Sequence, residues 1–376
     1  MTHPPSHAGA VLTIDLDAIA ANYRLLCERA GRAAVGAAVK ADAYGLGAQR
    51  VAPVLAAQGC RHFFVAHLDE GIALRPWLPH DAQIHVLHGP PPGTEEEFLR
   101  YRLVPVLNSM VQLSAWRRLA RQEGRALPAI VQVDTGMCRL GMPPAEVDAW
   151  LDGPAPREGI DLRYLMSHLG CADVTDHPMN RMQLERFRAV RARLPGVPCS
   201  FANSSGIFLG EEFTFDLARP GAALYGIAPV DGLANPMHPV VRLQGRIIQS
   251  RTVAAGDCVG YGARHRCDAE TRIATVAVGY ADGWLRSGSG RGVAHIDGVE
   301  VRQVGTVSMD TATFDVSAID PARVQPGMTV DLISPSDPVD AVAARAGTIA
   351  YEILTSLGTR FAREYRGGTA AMARCA

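Results

Sequence analysis

The eight cysteines of this 376-residue chain (27, 60, 138, 171, 199, 258, 267 and 375) include no Cys-x-x-Cys pair. That scatter argues against zinc and dithiol motifs, so no metal site is expected, and a chain of this size needs no disulfide framework. Charge of one sign is missing too: 37 basic and 38 acidic residues leave a formal net charge of −1. Nucleic acid and anionic membranes are bound through a basic footprint, so neither is expected as a partner. No apolar run approaches the roughly 20 residues that span a bilayer. The opening MTHPPSHAGA is polar and proline-rich, with no apolar stretch behind a basic one. Residues 1–10 therefore read as a disordered tail, not a signal peptide, and the expected location is the reducing cytoplasm.

What is present is a core. Hydrophobic residues make up 48% and charged ones 20%, ordinary for two modest globular domains or one large one. After an opening strand and helix in VLTIDLDAIAANYRLLCERA, about eight short apolar runs recur: VGAAVK, HFFVAH, IHVLHG, LVPVL, AIVQVD, LRYLMSHL, CSFANS and FDLARPG. Such runs suit parallel strands covered on both faces. The stretches between them fit helices. SMVQLSAWRRLARQEG has apolar residues at helical spacing, and HPMNRMQLERFRAVRARL starts with Pro178 near its first turn. This alternation predicts an N-terminal (β/α)8 barrel over residues 11–238, with a doubly wound open sheet as the alternative. Beyond residue 238 the chain turns β-rich and glycine-punctuated, as in TRIATVAVGYADG and GVAHIDGVEVRQVGTVSMDTATFDV. A mostly β C-terminal domain over 239–376 is expected, with one or two helices from DAVAARAGTIAYEILTSLG.

Six of the runs end on a polar residue: Lys40, His67, His88, Asp134, His168 and Arg219. In a barrel these ends converge on one mouth, where active sites sit. His67 and His88 have no supporting motif and read as ordinary polar strand ends. Lys40 closes a strand of small residues. Partial desolvation there would lower its pKa and free a nucleophilic amine suited to an aldehyde cofactor. A lysine snorkelling at the rim fits that stretch equally well. NSSG (203–206) and RPGAALYG (219–226) shift the balance, because small residues after strand ends let backbone N–H groups approach a phosphate, and Ser204 adds a hydroxyl. A lysine with a phosphate site suggests pyridoxal 5'-phosphate.

In the stretches AVKADAYGLGA, VDTGMCRLGM, MSHLGCADVTDHPMNRMQLERF, ANSSG, RPGAALYGIAP, VGYGARH, VGYADG, VGTVSMD and YEILTSLGTR, the chain resembles alanine racemases along nearly its whole length. The resemblance implies a pyridoxal-phosphate isomerase that interconverts L- and D-alanine by a two-base mechanism. Lys40 would carry the cofactor and act as one catalytic base. Tyr261 would be the other, reaching in from the partner subunit of a homodimer with shared active sites. Tyr44, Ser204, the backbone at Gly221 and Ala222, and Tyr351 would hold the phosphate, with Asn203 also among the cofactor-binding residues. Arg219 would face the pyridine nitrogen and His168 would sit behind Tyr261. Arg139, Tyr280, Met309 and Asp310 would line the substrate side, with the Met309 backbone N–H on the carboxylate.

Two positions depart from the family pattern. Many members carry a carbamylated lysine where Gln132 stands, holding the arginine that corresponds to Arg139; many carry histidine where Ser200 stands. The Gln132 amide oxygen or a bound anion could replace the carbamate. A broader amino-acid racemase acting on serine or other small side chains differs only in pocket size. A barrel-type decarboxylase would want an acidic residue in place of Arg219, and a small pyridoxal-phosphate carrier would lack the C-terminal domain.

Overall fold

The computed structural model describes residues 7–368. Most of the expected tail lies outside the described residues, and its last residue is ordered, because Ala10 opens a strand. The first ten strands are β1 (Ala10–Asp15), β2 (Ala34–Val35), β3 (Ala37–Ala38), β4 (His62–Val65), β5 (Gln83–Val86), β6 (Leu103–Leu107), β7 (Leu127–Gln132), β8 (Ile160–Met166), β9 (Cys199–Ser200) and β10 (Leu217–Ala218). Strands β3 to β9 form one parallel sheet in chain order, and β10 pairs with β2. Strands β2 and β3 are a single run interrupted at Gly36, whose N–H donates to Ala218 O at 2.9 Å. The Asp216 N–H donates to Cys199 O and the Arg219 N–H to Ala202 O, which joins β9 to β10 and curls the sheet into the expected barrel. Its interior is filled by Phe64, Val104, Val106, Ile130, Met166 and Leu217, a packed core and not a pore.

The helices follow their sequence signals. Met110–Gln122 begins where the Ser109 side chain accepts the Gln112 N–H, and buries Leu113, Trp116 and Leu119 at helical spacing. Pro178–Ala192 starts with Pro178, whose missing N–H costs nothing in the first turn, and buries Leu184 and Phe187.

The remaining strands are β11 (Val241–Val253), β12 (Cys258–Val259), β13 (His265–Arg266), β14 (Thr271–Val276), β15 (Val293–Ile296), β16 (Val299–Val304), β17 (Ala312–Asp315), β18 (Thr329–Ile333) and β19 (Ala362–Arg366). They build a mostly antiparallel sheet in the order β14-β17-β16-β15-β18-β11-β1-β19. The position of β1 corrects the reading of residues 11–15 as part of the barrel. This strand runs antiparallel to β11, with Leu12 opposite Leu243, and parallel to β19. Its pattern differs from the barrel runs: Ala10, Leu12 and Ile14 are buried while Val11 and Asp15 are only half-buried, which suits a sheet covered more on one face. Helices Val339–Ala346 and Ala350–Ser356 fall within DAVAARAGTIAYEILTSLG, as expected.

Candidate active site

The C-terminal ends of the barrel strands enclose a cavity of about 610 Å³. It is lined by Lys40 after β3, His88 after β5, Gln132 at the end of β7, His168 after β8, Asn203 and Ser204 after β9, and Arg219, Gly221 and Ala222 after β10. Arg139 reaches it from the loop after β7, and Tyr351, Glu352 and Thr355 close one side from the helix Ala350–Ser356. Asp134 does not line it. Its carboxylate accepts the Gly136 and Cys138 N–H groups and so folds the loop that carries Arg139.

Lys40 is aimed by unusual backbone. Ala41, Asp42, Ala43 and Tyr44 all have φ between 52° and 56°, one turn of left-handed helix. For L-residues this costs roughly 1–2 kcal/mol each, so tertiary contacts must hold it. Glu70 Oε1 accepts the Ala41 N–H at 2.6 Å, the Asp42 carboxylate accepts the Ala48 N–H at 2.7 Å, and Arg363 donates to Gly45 O. The Tyr44 ring packs between Tyr225 and Tyr351, at 4.7 and 5.9 Å between centroids. Among the described residues no carboxylate pairs with Lys40. Burial, helped by the positive charge of Arg139 and opposed by Glu70, lowers its pKa. The amine is thus more readily neutral, and nucleophilic, than a free lysine.

Beside Lys40 lies a cluster of donors. The Ser204 hydroxyl accepts the N–H groups of Gly221 and Ala223 at 3.0 and 3.2 Å. A Cβ on Gly221 would collide with the Tyr44 hydroxyl and approach the Ala38 side chain to 3.2 Å, so only glycine leaves this corner open. Burial raises the pKa of both Tyr44 and Tyr351, which keeps their phenols protonated as donors. Hydroxyls and backbone amides of this number and kind fit a phosphate group.

Arg219 is buried without a carboxylate among the described residues. It donates to Ser200 Oγ at 2.5 Å and Ser167 O at 2.7 Å, and approaches His168 Nδ1 at 3.4 Å. Arginine only donates, so Nδ1 must be the acceptor and the His168 proton sits on Nε2. Burial, then Arg219, Arg139 and Lys40, hold His168 well below its ordinary pKa, so its ring is neutral. Ser200, where many family members carry histidine, is a direct partner of Arg219. Gln132 donates its amide to Leu140 O at 3.3 Å and braces the loop; no hydrogen bond joins it to Arg139 among the described residues. Lys40, Arg139 and Arg219 outnumber the single lining carboxylate, Glu352. The cavity is built for anions.

Tyr261, Tyr280, Met309 and Asp310 do not reach this cavity within the chain. Tyr261, Tyr280 and Met309 are 73%, 42% and 54% exposed. Their loops are tied together: Thr306 Oγ1 donates to Tyr261 O, the Tyr280 N–H to Ser308 O, and the Ala281 N–H to Met309 O. Arg360 forks between Asp282 and Asp310 and fixes the group from behind. His88 lines the cavity although no sequence motif singled it out; only its place after a strand pointed to it.

Fold and cavity together place the chain among two-domain barrel proteins with a half-buried amine and an anion cradle at the barrel mouth. Comparison with known proteins narrows this. The family model for the alanine racemase N-terminal domain matches residues 14–229 and that for the C-terminal domain matches residues 240–365. A catabolic alanine racemase of Mesorhizobium japonicum is 51% identical over 96% of this chain and 94% of its own length. An alanine racemase of Rhodospirillum rubrum is also 51% identical, over 96% of each chain. Among solved structures, alanine racemase from Bartonella henselae with covalently bound pyridoxal phosphate superposes with a TM-score of 0.92. It is 41% identical, with 96% of this chain and all of that one covered. The chain belongs to the alanine racemase family.

Proposed function

We propose that the chain interconverts L- and D-alanine with pyridoxal 5'-phosphate as cofactor, using Lys40 and Tyr261 as opposed bases. The observation that carries this reading is a desolvated amine without a carboxylate partner in the same cavity as a phosphate-sized cluster of donors. When bound, the cofactor supplies the electron sink that lets the α-proton leave. Ser204, Tyr44, Tyr351 and the backbone of Gly221 and Ala222 would hold its phosphate, with Asn203 beside them, and Lys40 would supply the amine for its aldehyde. Racemisation takes a proton from one face and returns another to the opposite face, which calls for two bases. Lys40 serves the D face and Tyr261 the L face, with His168 behind Tyr261. Arg139 and the Met309 backbone N–H place the substrate carboxylate, and Tyr280 and Asp310 line the substrate side.

Tyr261 stands on an exposed face that also carries Tyr280 and Met309. An exposed apolar group of this size marks an association surface, and a two-fold homodimer lays it over the partner's barrel mouth. The seven described cysteines are all free thiols, which suits a reducing cytoplasm.

Two substitutions test the residue roles. Gly221→Ala pushes against the Tyr44 hydroxyl, an overpacking worth about 1–3 kcal/mol. Cofactor affinity, read by fluorescence titration of the apoprotein, is expected to fall roughly ten-fold or more; unchanged affinity removes Gly221 from the cradle. Arg219 donates a hydrogen bond without surrendering its proton, which disfavours side reactions that need a protonated ring nitrogen. Arg219→Glu is expected to slow racemisation while raising pyruvate formed per alanine racemised. An unchanged ratio removes Arg219 from the ring nitrogen.

A further inference from the structure

His67 and His88 end neighbouring strands at one level, because Val65 pairs with Val86 and the His88 N–H donates to Ala66 O at 3.1 Å. Their rings meet edge to face with centroids 4.6 Å apart, and the two Nδ1 atoms are 3.3 Å apart. Two facing ring nitrogens bond only when one donates and the other accepts, so the neutral pair shares one Nδ1 proton. His88 lines the cavity with Lys40, whereas His67 stands outside the lining and is exposed. Glu70 fixes the geometry. Its Oε1 accepts the Ala41 N–H at 2.6 Å, and its Oε2 accepts the N–H groups of Ala66 and His67 at 2.7 and 3.0 Å. One carboxylate thus ties together the strand ends that carry Lys40 and His67, with His88 alongside. The charged and titratable groups facing His88 are His67, Lys40, Glu70 and Arg139. Burial, then His67 and Lys40, lower its pKa against the opposing pull of Glu70, so the ring is uncharged near neutrality.

We propose that His88 and His67 form a proton relay between the Lys40 amine and bulk water. The proposal rests on the reading of Lys40 as a base. Each two-base turnover leaves one base with a proton gained and the other with one lost, and both must be reset. The step balances. A proton leaves the Lys40 ammonium for His88 Nε2, the His88 Nδ1 proton passes to His67 Nδ1, and His67 releases its Nε2 proton to water. A proton moving the other way restores the starting tautomers. His88 and His67 are relay residues; neither needs to touch the substrate.

The test uses the holoenzyme with D- and L-[2-²H]alanine in ordinary water, reading deuterium left in recovered substrate at equal extents of racemisation. Wild type is expected to wash label out of recovered D-alanine. His88→Gln and His67→Gln should retain it several-fold more, and added imidazole should restore the loss. This partition ratio does not depend on how much enzyme is active, so a merely structural role would leave it alone. ¹⁵N-histidine NMR of the holoenzyme adds a readout independent of turnover. Because His67 lowers the His88 pKa, His67→Gln should move the His88 titration upward. A variant effect confined to L-alanine supports the relay while reassigning the face that Lys40 serves. Equal retention in wild type and both variants, indifferent to imidazole, overturns the relay.

Discussion

Lys40→Ala is expected to lower racemase activity by about 10³-fold or more, the scale that follows when a covalent-catalysis residue is lost. The same side chain is where borohydride reduction of the wild-type holoenzyme should fix the pyridoxyl group, read by peptide mapping. The expectation rests on environment. The sequence has a single lysine, Lys40; it lines the cavity just after β3, beyond Ala37, Ala38 and Val39, and no carboxylate among the described residues pairs with it. Burial and Arg139 favour its neutral form, so cofactor capture by the apoprotein should persist to lower pH than an ordinary lysine of pKa about 10.4 would allow. As pH falls through the depressed pKa, the amine protonates and capture is lost. Lys40 is the sequence's only lysine, so absence of the label from the Lys40 peptide, or substantial activity left in Lys40→Ala, moves the covalent site elsewhere.

Much of the site was legible because a barrel converts strand ends into neighbours. Lys40, His168 and Arg219 are some 180 residues apart at the extremes of the sequence stretch that holds them, yet short apolar runs were enough to bring them together. What was not legible depends on contacts that periodicity does not carry. The left-handed turn at Ala41–Tyr44 contains no glycine; Glu70 and the distant Arg363 hold it, and neither lies within the motif. The place of β1 in the C-terminal sheet is set by pairing with strands more than 200 residues away. Local alternation marked it as a strand and left its partner open. His67 and His88 looked like ordinary polar strand ends. Their pairing comes from the register of two parallel strands, which sequence spacing does not give.

Activity should return when two inactive proteins, Lys40→Ala and Tyr261→Phe, are mixed and allowed to exchange subunits. The argument starts from separation within one chain. Lys40 lies in the cavity at the barrel mouth, while Tyr261 is 73% exposed on the C-terminal sheet and does not line that cavity. Tyr351 and Glu352, from the same C-terminal part, already close one side of the chain's own mouth. On the proposed reading Tyr261 comes from another subunit, and a two-fold dimer would supply it symmetrically. In a heterodimer of the two variants, one site combines both defects and the other combines an intact Lys40 with an intact Tyr261. Random pairing of equal amounts makes half the dimers mixed, so about a quarter of wild-type activity is expected by counting sites. Neither variant alone should approach that level. If mass-tagged chains prove exchange and no activity returns, the two bases do not meet across subunits, and Tyr261 must reach Lys40 by folding within its own chain.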